Sequence, residues 1–162
     1  MSAARKLEKK TTKVTFPTDR TIRTERVFDA PKSKVWRAFT DPKQLVKWWG
    51  RGQKCTAERH ELERGGHWRF TVYEGKAKQG FEGRFREVTP EDRIVQTFEW
   101  DGMPGHVCIE TMTFEDLGDG RTRLVNDSLF HTAEECAGMT QSGMEEGLND
   151  SYEALDALLA AK

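Results

Sequence analysis

The sequence lacks the features of several large classes of protein. No window approaches the roughly 20 apolar residues that a membrane-spanning helix needs. The first 20 residues contain no continuous apolar stretch of the kind found in secretion signals. Repeats, low-complexity tracts and shifts of composition are also missing after residue 20. We therefore expect one domain in the cytoplasm, without membrane insertion.

Residues that bind metals or react as nucleophiles are few and carry no recognisable spacing. They are Cys55, Cys108, Cys136, His60, His67, His106 and His131. No Cys-x-x-Cys pair and no histidine ligand motif occurs, so we expect reduced, mostly buried thiols. A G-x-S-x-G motif, a Cys-His motif and a phosphate-binding glycine loop are absent as well. We predict no metal, no cofactor and no catalytic residue, although an enzyme stays open as an alternative.

The chain also lacks a large excess of positive or negative charge, since its formal net charge is -1 at neutral pH. Such a chain does not attract nucleic acid over its whole surface, and we predict no nucleic-acid partner. Residues 1–20 are an exception because they are mostly basic. Short charged termini are usually solvated, so residues 1–20 are predicted to be a flexible basic tail and residues 21–162 the single domain.

What the sequence does contain is alternation typical of strands. The alternation from Thr21 to Phe28 predicts a first strand. A short helix is predicted to begin at Pro31. A second short helix is predicted after Asp41-Pro42. Glycine and proline turns then separate several strands, each with one apolar face. The inward-facing residues are Trp68, Phe70, Val72, Phe81, Gly83, Phe85, Ile94, Gln96, Phe98 and Trp100.

A long helix is predicted at the C-terminus to cover the apolar side of this sheet. Its apolar residues fall at steps of three and four and form one stripe, Met144, Leu148, Tyr152, Leu155 and Leu159. Thr132 and Glu135 have the spacing of a capping box, so helix could begin there. Gly138 and Gly143 weaken the intervening segment.

Six short motifs, in order along the chain, resemble one known family. They are residues 24–31 (TERVFDAP), 35–42 (VWRAFTDP), 48–50 (WWG), 65–70 (GGHWRF), 83–88 (GRFREV) and 147–152 (GLNDSY). The set resembles the SRPBCC superfamily, which includes START and birch-pollen-allergen-like proteins. It is most similar to the branch named for the activator of the ninety-kilodalton heat-shock-protein ATPase. The resemblance spans Thr21 to Lys162.

The resemblance implies the α+β helix-grip fold. In that fold a curved antiparallel sheet, here of about six or seven strands, wraps around a long C-terminal helix, and two short helices follow the first strand. It also implies a cavity between sheet and helix for an apolar or amphipathic molecule. Two departures from the family bear on ligand preference: Leu148 stands where members often have Trp, and Arg51 where they often have Pro.

The residues predicted to line the cavity come from the sheet's apolar face, the Trp-Trp pair and the last helix. They are Trp48, Trp49, Phe70, Phe85, Phe98, Trp100, Met139, Met144, Leu148 and Tyr152. The same periodicities also fit an ordinary packed core. Adjacent tryptophans cannot both enter one core, so one of Trp48 and Trp49 is expected either near the mouth of the cavity or over an edge of the sheet. Polar candidates for the interior, without an assigned catalytic role, are Gln96, His106, Glu110, Asn126 and His131.

These features lead to three hypotheses of function. The first is a binding module for a small hydrophobic or amphipathic molecule, such as a lipid, sterol or flavonoid. The second is a co-chaperone-like regulator of heat-shock-protein ATPase activity, whose partner would be a chaperone or another protein. The third is an enzyme that acts on a hydrophobic substrate. We expect a monomer or a weak homodimer.

Overall fold

A computed structural model describes residues 12–161, and within them the chain forms eight strands and four helices. The strands are β1 (Lys13–Thr18), β2 (Thr21–Phe28), β3 (Lys54–His60), β4 (His67–Glu74), β5 (Ala77–Thr89), β6 (Arg93–Trp100), β7 (Val107–Asp116) and β8 (Thr122–Leu129). The helices are α1 (Lys32–Thr40), α2 (Pro42–Leu45), α3 (Ala133–Gln141) and α4 (Met144–Ala160).

All eight strands form one antiparallel sheet in the order β1-β2-β8-β7-β6-β5-β4-β3. The predicted α+β class is thus correct, but the predicted count of six or seven strands is too low. The additional strand is β1, which lies within the segment 1–20 predicted as a flexible tail. Residues 1–11 of that segment lie outside the described residues.

The sequence of β1 explains why alternation does not reveal it. Pro17 interrupts the strand, and its pairing with β2 shifts register between Thr15 and Thr18. Proline lacks the N–H that a ladder needs, so it is tolerated on an edge strand such as this one. β1 is therefore a real strand with a weak signal.

The sheet is strongly curved. A flat sheet of eight strands would be about 34 Å wide, at roughly 4.8 Å per strand spacing. Yet Phe28 on β2 and Phe70 on β4 belong to the same buried cluster as Tyr152 and Leu155 of α4. The interior face of the sheet therefore wraps around α4, with α1 and α2 closing one end through Val35, Phe39 and Leu45.

The break between α3 and α4 lies at a glycine. Thr132 caps α3, its hydroxyl accepting a hydrogen bond from the N–H of Glu135 at 3.1 Å. Gly143, which precedes α4, has a φ of 85°, a left-handed conformation that favours glycine. The chain can thus change direction there and lay α4 across the sheet.

α4 is fastened to the rest of the fold by two arginines. The guanidinium of Arg26 on β2 binds both carboxylate oxygens of Asp156, with N···O distances of 3.1 and 2.6 Å. Arg51 lies in the loop after α2, where its N–H donates to Ser151 Oγ at 2.8 Å and its guanidinium binds Asp150. The φ of Arg51 is 67°, which proline cannot adopt. A family member with proline at this position therefore needs a different backbone conformation in this loop.

Candidate functional site

The ten predicted lining residues divide by burial. Trp48, Phe70, Phe85 and Tyr152 are buried in the core. The other six are half-buried, namely Trp49, Phe98, Trp100, Met139, Met144 and Leu148. Of the adjacent tryptophans, Trp48 is 3% exposed, whereas Trp49 packs edge-on against Phe70 and Phe81 at 5.2 and 5.0 Å between ring centroids.

The stripe on α4 changes character along the helix. Tyr152, Leu155 and Leu159 are buried, but Met144 and Leu148 in the first two turns are only half-buried. Phe98, on the interior face of β6, is half-buried too. Side chains that point inward and still have accessible surface border space that protein atoms do not fill. The stripe is therefore sealed in the second half of α4 and partly accessible in its first two turns.

Phe98 joins the two apolar clusters of the molecule at this place. It packs against the main core and also against the smaller cluster of Ile22, Cys108, Phe130 and Cys136. Met139 and Met144 pack against the smaller cluster, and Leu148 and Trp49 against the main core. These five half-buried residues are the candidate lining of an interior site. Trp100 is placed in neither cluster, and its indole N–H donates to Gln79 at 2.6 Å.

Three polar side chains meet on the interior face of the sheet, on the neighbouring strands β6, β7 and β8. Gln96 and Glu110 are direct cross-strand partners, and Asn126 lies opposite Met112, two residues along β7 from Glu110. Gln96 Nε2 donates to one carboxyl oxygen of Glu110 at 3.1 Å. Asn126 Nδ2 donates to the other at 3.4 Å. We call Gln96, Glu110 and Asn126 the interior polar triplet.

The electrostatics of Glu110 favour its neutral form. Burial raises the pKa of the Glu110 carboxyl, while the hydrogen bonds from Gln96 and Asn126 lower it by a smaller amount. Burial also raises the pKa of the Tyr152 hydroxyl, and the negative charge of Glu110 adds to this effect, whereas Arg26 opposes it. The charge of Arg26 is balanced by Asp156. The interior site therefore holds a carboxyl group that is poorly stabilised when ionised.

This raised pKa predicts how stability responds to pH when Glu110 is replaced. The folded state holds the proton more tightly than the unfolded state, so the Glu110 contribution to stability is fully present below the ordinary pKa of 4.5 and is lost as pH rises through the folded value. We expect Glu110→Gln to be more stable than wild type at about pH 8, with the difference shrinking toward about pH 4. Urea unfolding of both proteins over this range measures it.

Glu99→Gln is a suitable control for the pH series, because Glu99 lies on the neighbouring strand β6 and its carboxylate accepts a hydrogen bond from the Gly105 N–H near the surface. Its stability difference from wild type should not follow the pattern of the Glu110 variant. A Glu110→Gln difference that stays constant with pH would show that the carboxyl is well solvated, contrary to this description of the site.

Part of the polar interior was predicted from the sequence. Of its five polar candidates, Gln96, Glu110 and Asn126 meet inside the sheet, whereas His106 and His131 are exposed. Two contributors were not among the predicted lining residues. Phe81 contacts Trp49. Arg26 lies on the same, inward-facing side of β2 as Ile22, Thr24 and Phe28. The strict alternation of β2 was the signal that could have identified Arg26 as a buried cation.

Two surface depressions lie away from the interior site. A groove of about 510 Å³ on the outer face of β4 and β5 contains Arg69, which pairs with Glu82 and Asp101. A second depression of about 280 Å³ separates the β1–β2 turn from α3 and includes Phe16 and Cys136. Neither contains a predicted lining residue. Within residues 12–161, no cluster of metal-ligating side chains occurs and no helix is long and apolar enough to cross a membrane.

An eight-stranded antiparallel sheet folded around a C-terminal helix, with two short helices after β2, defines a helix-grip fold. The sequence matches the family described as Activator of Hsp90 ATPase homolog 1-like protein over residues 29–160. The chain belongs to this family, a branch of the SRPBCC superfamily. This membership supports a module that binds a ligand or regulates another protein.

Solved structures from several bacteria share the fold. A Rhodobacter sphaeroides protein is 23% identical with a TM-score of 0.84, over 92% of this chain and 97% of that one. An Arthrobacter aurescens protein is 27% identical with a TM-score of 0.82, over 91% of each chain. Protein CV1439 from Chromobacterium violaceum is 30% identical with a TM-score of 0.73, over 88% of this chain and 99% of that one. No curated protein sequence matches this chain significantly.

Proposed function

We propose that this protein binds one small amphipathic molecule between the sheet and the first two turns of α4. The apolar part of the ligand lies against Trp49, Phe81, Phe98 and Leu148. Its polar end reaches the interior polar triplet. A mostly apolar space with a few convergent polar groups is the usual composition of a small-molecule site.

The observation that carries this proposal is the contrast between the two halves of α4. The second half is sealed against the core by Leu155 and Leu159, which are 0% and 6% exposed. The first half leaves Leu148 half-buried opposite the half-buried Phe98. If this region served only as core, its inward-facing aromatic and aliphatic side chains would be expected to be sealed like those of the second half.

A second candidate function is an enzyme, and one observation favours it. Glu110 and Tyr152 are two ionisable groups in the same interior, and burial raises the pKa of both. A carboxyl whose pKa is raised can donate a proton to a bound substrate at higher pH than an ordinary carboxyl. Binding precedes either outcome, so the binding site is the first thing to test. The regulator hypothesis draws its support from the family membership.

Leu148→Trp provides a direct test of the binding site. The larger ring fills the space under the start of α4, and the family resemblance indicates that the fold accepts Trp at this position. We expect any ligand found in a screen of alcohols, sterols, flavonoids and fatty acids to bind at least about tenfold more weakly to this variant, because the ring occupies its place. Amide chemical shifts of the ¹⁵N-labelled chain report both affinity and fold.

Ala157→Trp is the matched control, since Ala157 is exposed on the same helix. It adds the same side chain outside the interior and should bind like wild type. Undiminished binding to Leu148→Trp, or shifts clustered away from Phe98 and Leu148, would place the ligand elsewhere. If no compound of the screen changes the amide shifts of the wild-type protein, a ligand-binding function is contradicted.

A further inference from the structure

The hydrogen bonds inside the interior polar triplet restrict the polar end of a ligand. Gln96 and Asn126 both use side-chain N–H groups on Glu110. Asn126 Oδ1 is left buried, with no hydrogen-bond partner among the described residues. Buried acceptors are normally paired, and leaving one unpaired is unfavourable. The triplet therefore has an oxygen that lacks a donor.

The charges around the triplet restrict the ligand further. The groups that face it are Thr24 and Arg26 on β2, Cys108 on β7, Ser128 on β8 and Tyr152 on α4. Arg26 is the cation among them; Asp156 binds its two terminal nitrogens, and its Nε is buried without a hydrogen-bond partner among the described residues. Burial raises the pKa of the Cys108 thiol, so this group stays neutral. An anionic ligand would find no free positive charge among these groups, and its own charge would lie beside Glu110.

We propose that the interior site selects a neutral amphipathic molecule whose polar end carries a hydroxyl or N–H group, in preference to a carboxylate with the same apolar part. The donor pairs with Asn126 Oδ1. This inference rests on the proposed binding function and specifies its ligand class. A site built around an unpaired polar group discriminates strongly against analogues that cannot pair with it.

Three probes, each built on a ten-carbon chain, separate the contributions. 1-Decanol has a hydroxyl donor, decyl methyl ether is neutral without a donor, and decanoate is a charged acceptor. We expect 1-decanol to bind the full chain at least about tenfold more tightly than either of the others near neutral pH. Amide shifts of Gln96, Glu110 and Asn126 should move with 1-decanol, and those of Phe98 and Leu148 with any probe that binds.

Two variants assign the preference to individual groups. Asn126→Leu removes the acceptor at similar size, and the preference for alcohol over ether should fall to within about twofold. Glu110→Gln removes the ionisable carboxyl, and at a pH where the wild-type Glu110 is ionised decanoate should bind at least about threefold more tightly to the variant than to wild type. Retention of the alcohol preference in Asn126→Leu would overturn the role of that oxygen.

The outcomes distinguish the inference from the proposed function. If all three probes shift Phe98 and Leu148 with equal affinity, or if decanoate binds most tightly, the ligand class is wrong while the binding site stands. If no probe shifts these residues, both the ligand class and the binding site are contradicted. Tighter binding of 1-decanol that depends on Asn126 supports both.

Discussion

Replacing Trp48 with Ala is expected to lower the free energy of unfolding by about 3–5 kcal/mol. The indole is 3% exposed and packs against Phe39 and Tyr152 at 4.7 and 6.1 Å between ring centroids. Its N–H also donates to the carbonyl oxygen of Ala38 at 2.9 Å. The substitution thus leaves a cavity and an unpaired buried carbonyl. The shift of the urea midpoint, at an unchanged slope, measures the loss.

Two variants separate the contributions at this position. Trp48→Phe keeps most of the ring but removes the donor, so a loss of about 1–3 kcal/mol is expected. Trp49→Ala is the neighbouring control, because Trp49 is half-buried at the interior site. It should cost less stability than Trp48→Ala while weakening ligand binding. Equal losses of stability from the two alanine variants would contradict the distinct roles assigned to these adjacent residues.

Breaking the ion pair between β2 and α4 is expected to have the second largest effect. The Arg26 side chain is 2% exposed, whereas that of Asp156 is 32% exposed. Asp156→Ala leaves a buried cation without its carboxylate, although the Val27 carbonyl and the Phe28 ring still contact it. We expect a loss of about 2–4 kcal/mol, because one partner is partly solvated while the other is buried. Urea unfolding at low and high salt measures it.

Asp150→Ala is the matched control for Asp156→Ala. Asp150 also lies on α4 and also pairs with an arginine, but its side chain and that of Arg51 are 41% and 43% exposed. Exposed pairs contribute about 0–1 kcal/mol, and salt weakens them. Replacing both partners of the buried pair, as in Arg26→Met with Asp156→Leu, should recover much of the loss. A loss from Asp150→Ala as large as that from Asp156→Ala would contradict this account.

Local sequence patterns predicted most of the elements, because alternation and helical spacing report burial directly. The strand Thr21 to Phe28 agrees with β2 at both ends, and the apolar stripe from Met144 belongs to α4. β1 escaped detection because Pro17 and a register shift interrupt its short pattern. Local rules therefore worked where a segment is regular and failed at the irregular edge.

The interior site depended on information that no local pattern contains. Glu110 lies on the same face of β7 as Cys108 and Met112, so the alternation of the sequence predicts that its side chain faces inward. Its partners could not be predicted, because they are set by the pairing registers of two successive hairpins, which the local pattern does not fix. The pair of Arg26 with Asp156 joins residues 130 positions apart. Such contacts follow from the tertiary fold and require a structure.

The proposed binding function requires a space accessible to a ligand under the first two turns of α4. Xenon pressure tests it without knowledge of the ligand, since xenon enters apolar spaces that side chains leave unfilled. Under xenon, the account predicts chemical-shift changes centred on Phe98, Met144 and Leu148 in the wild type, and their loss in Leu148→Trp. Changes confined to other regions, or the same response from both proteins, would contradict it.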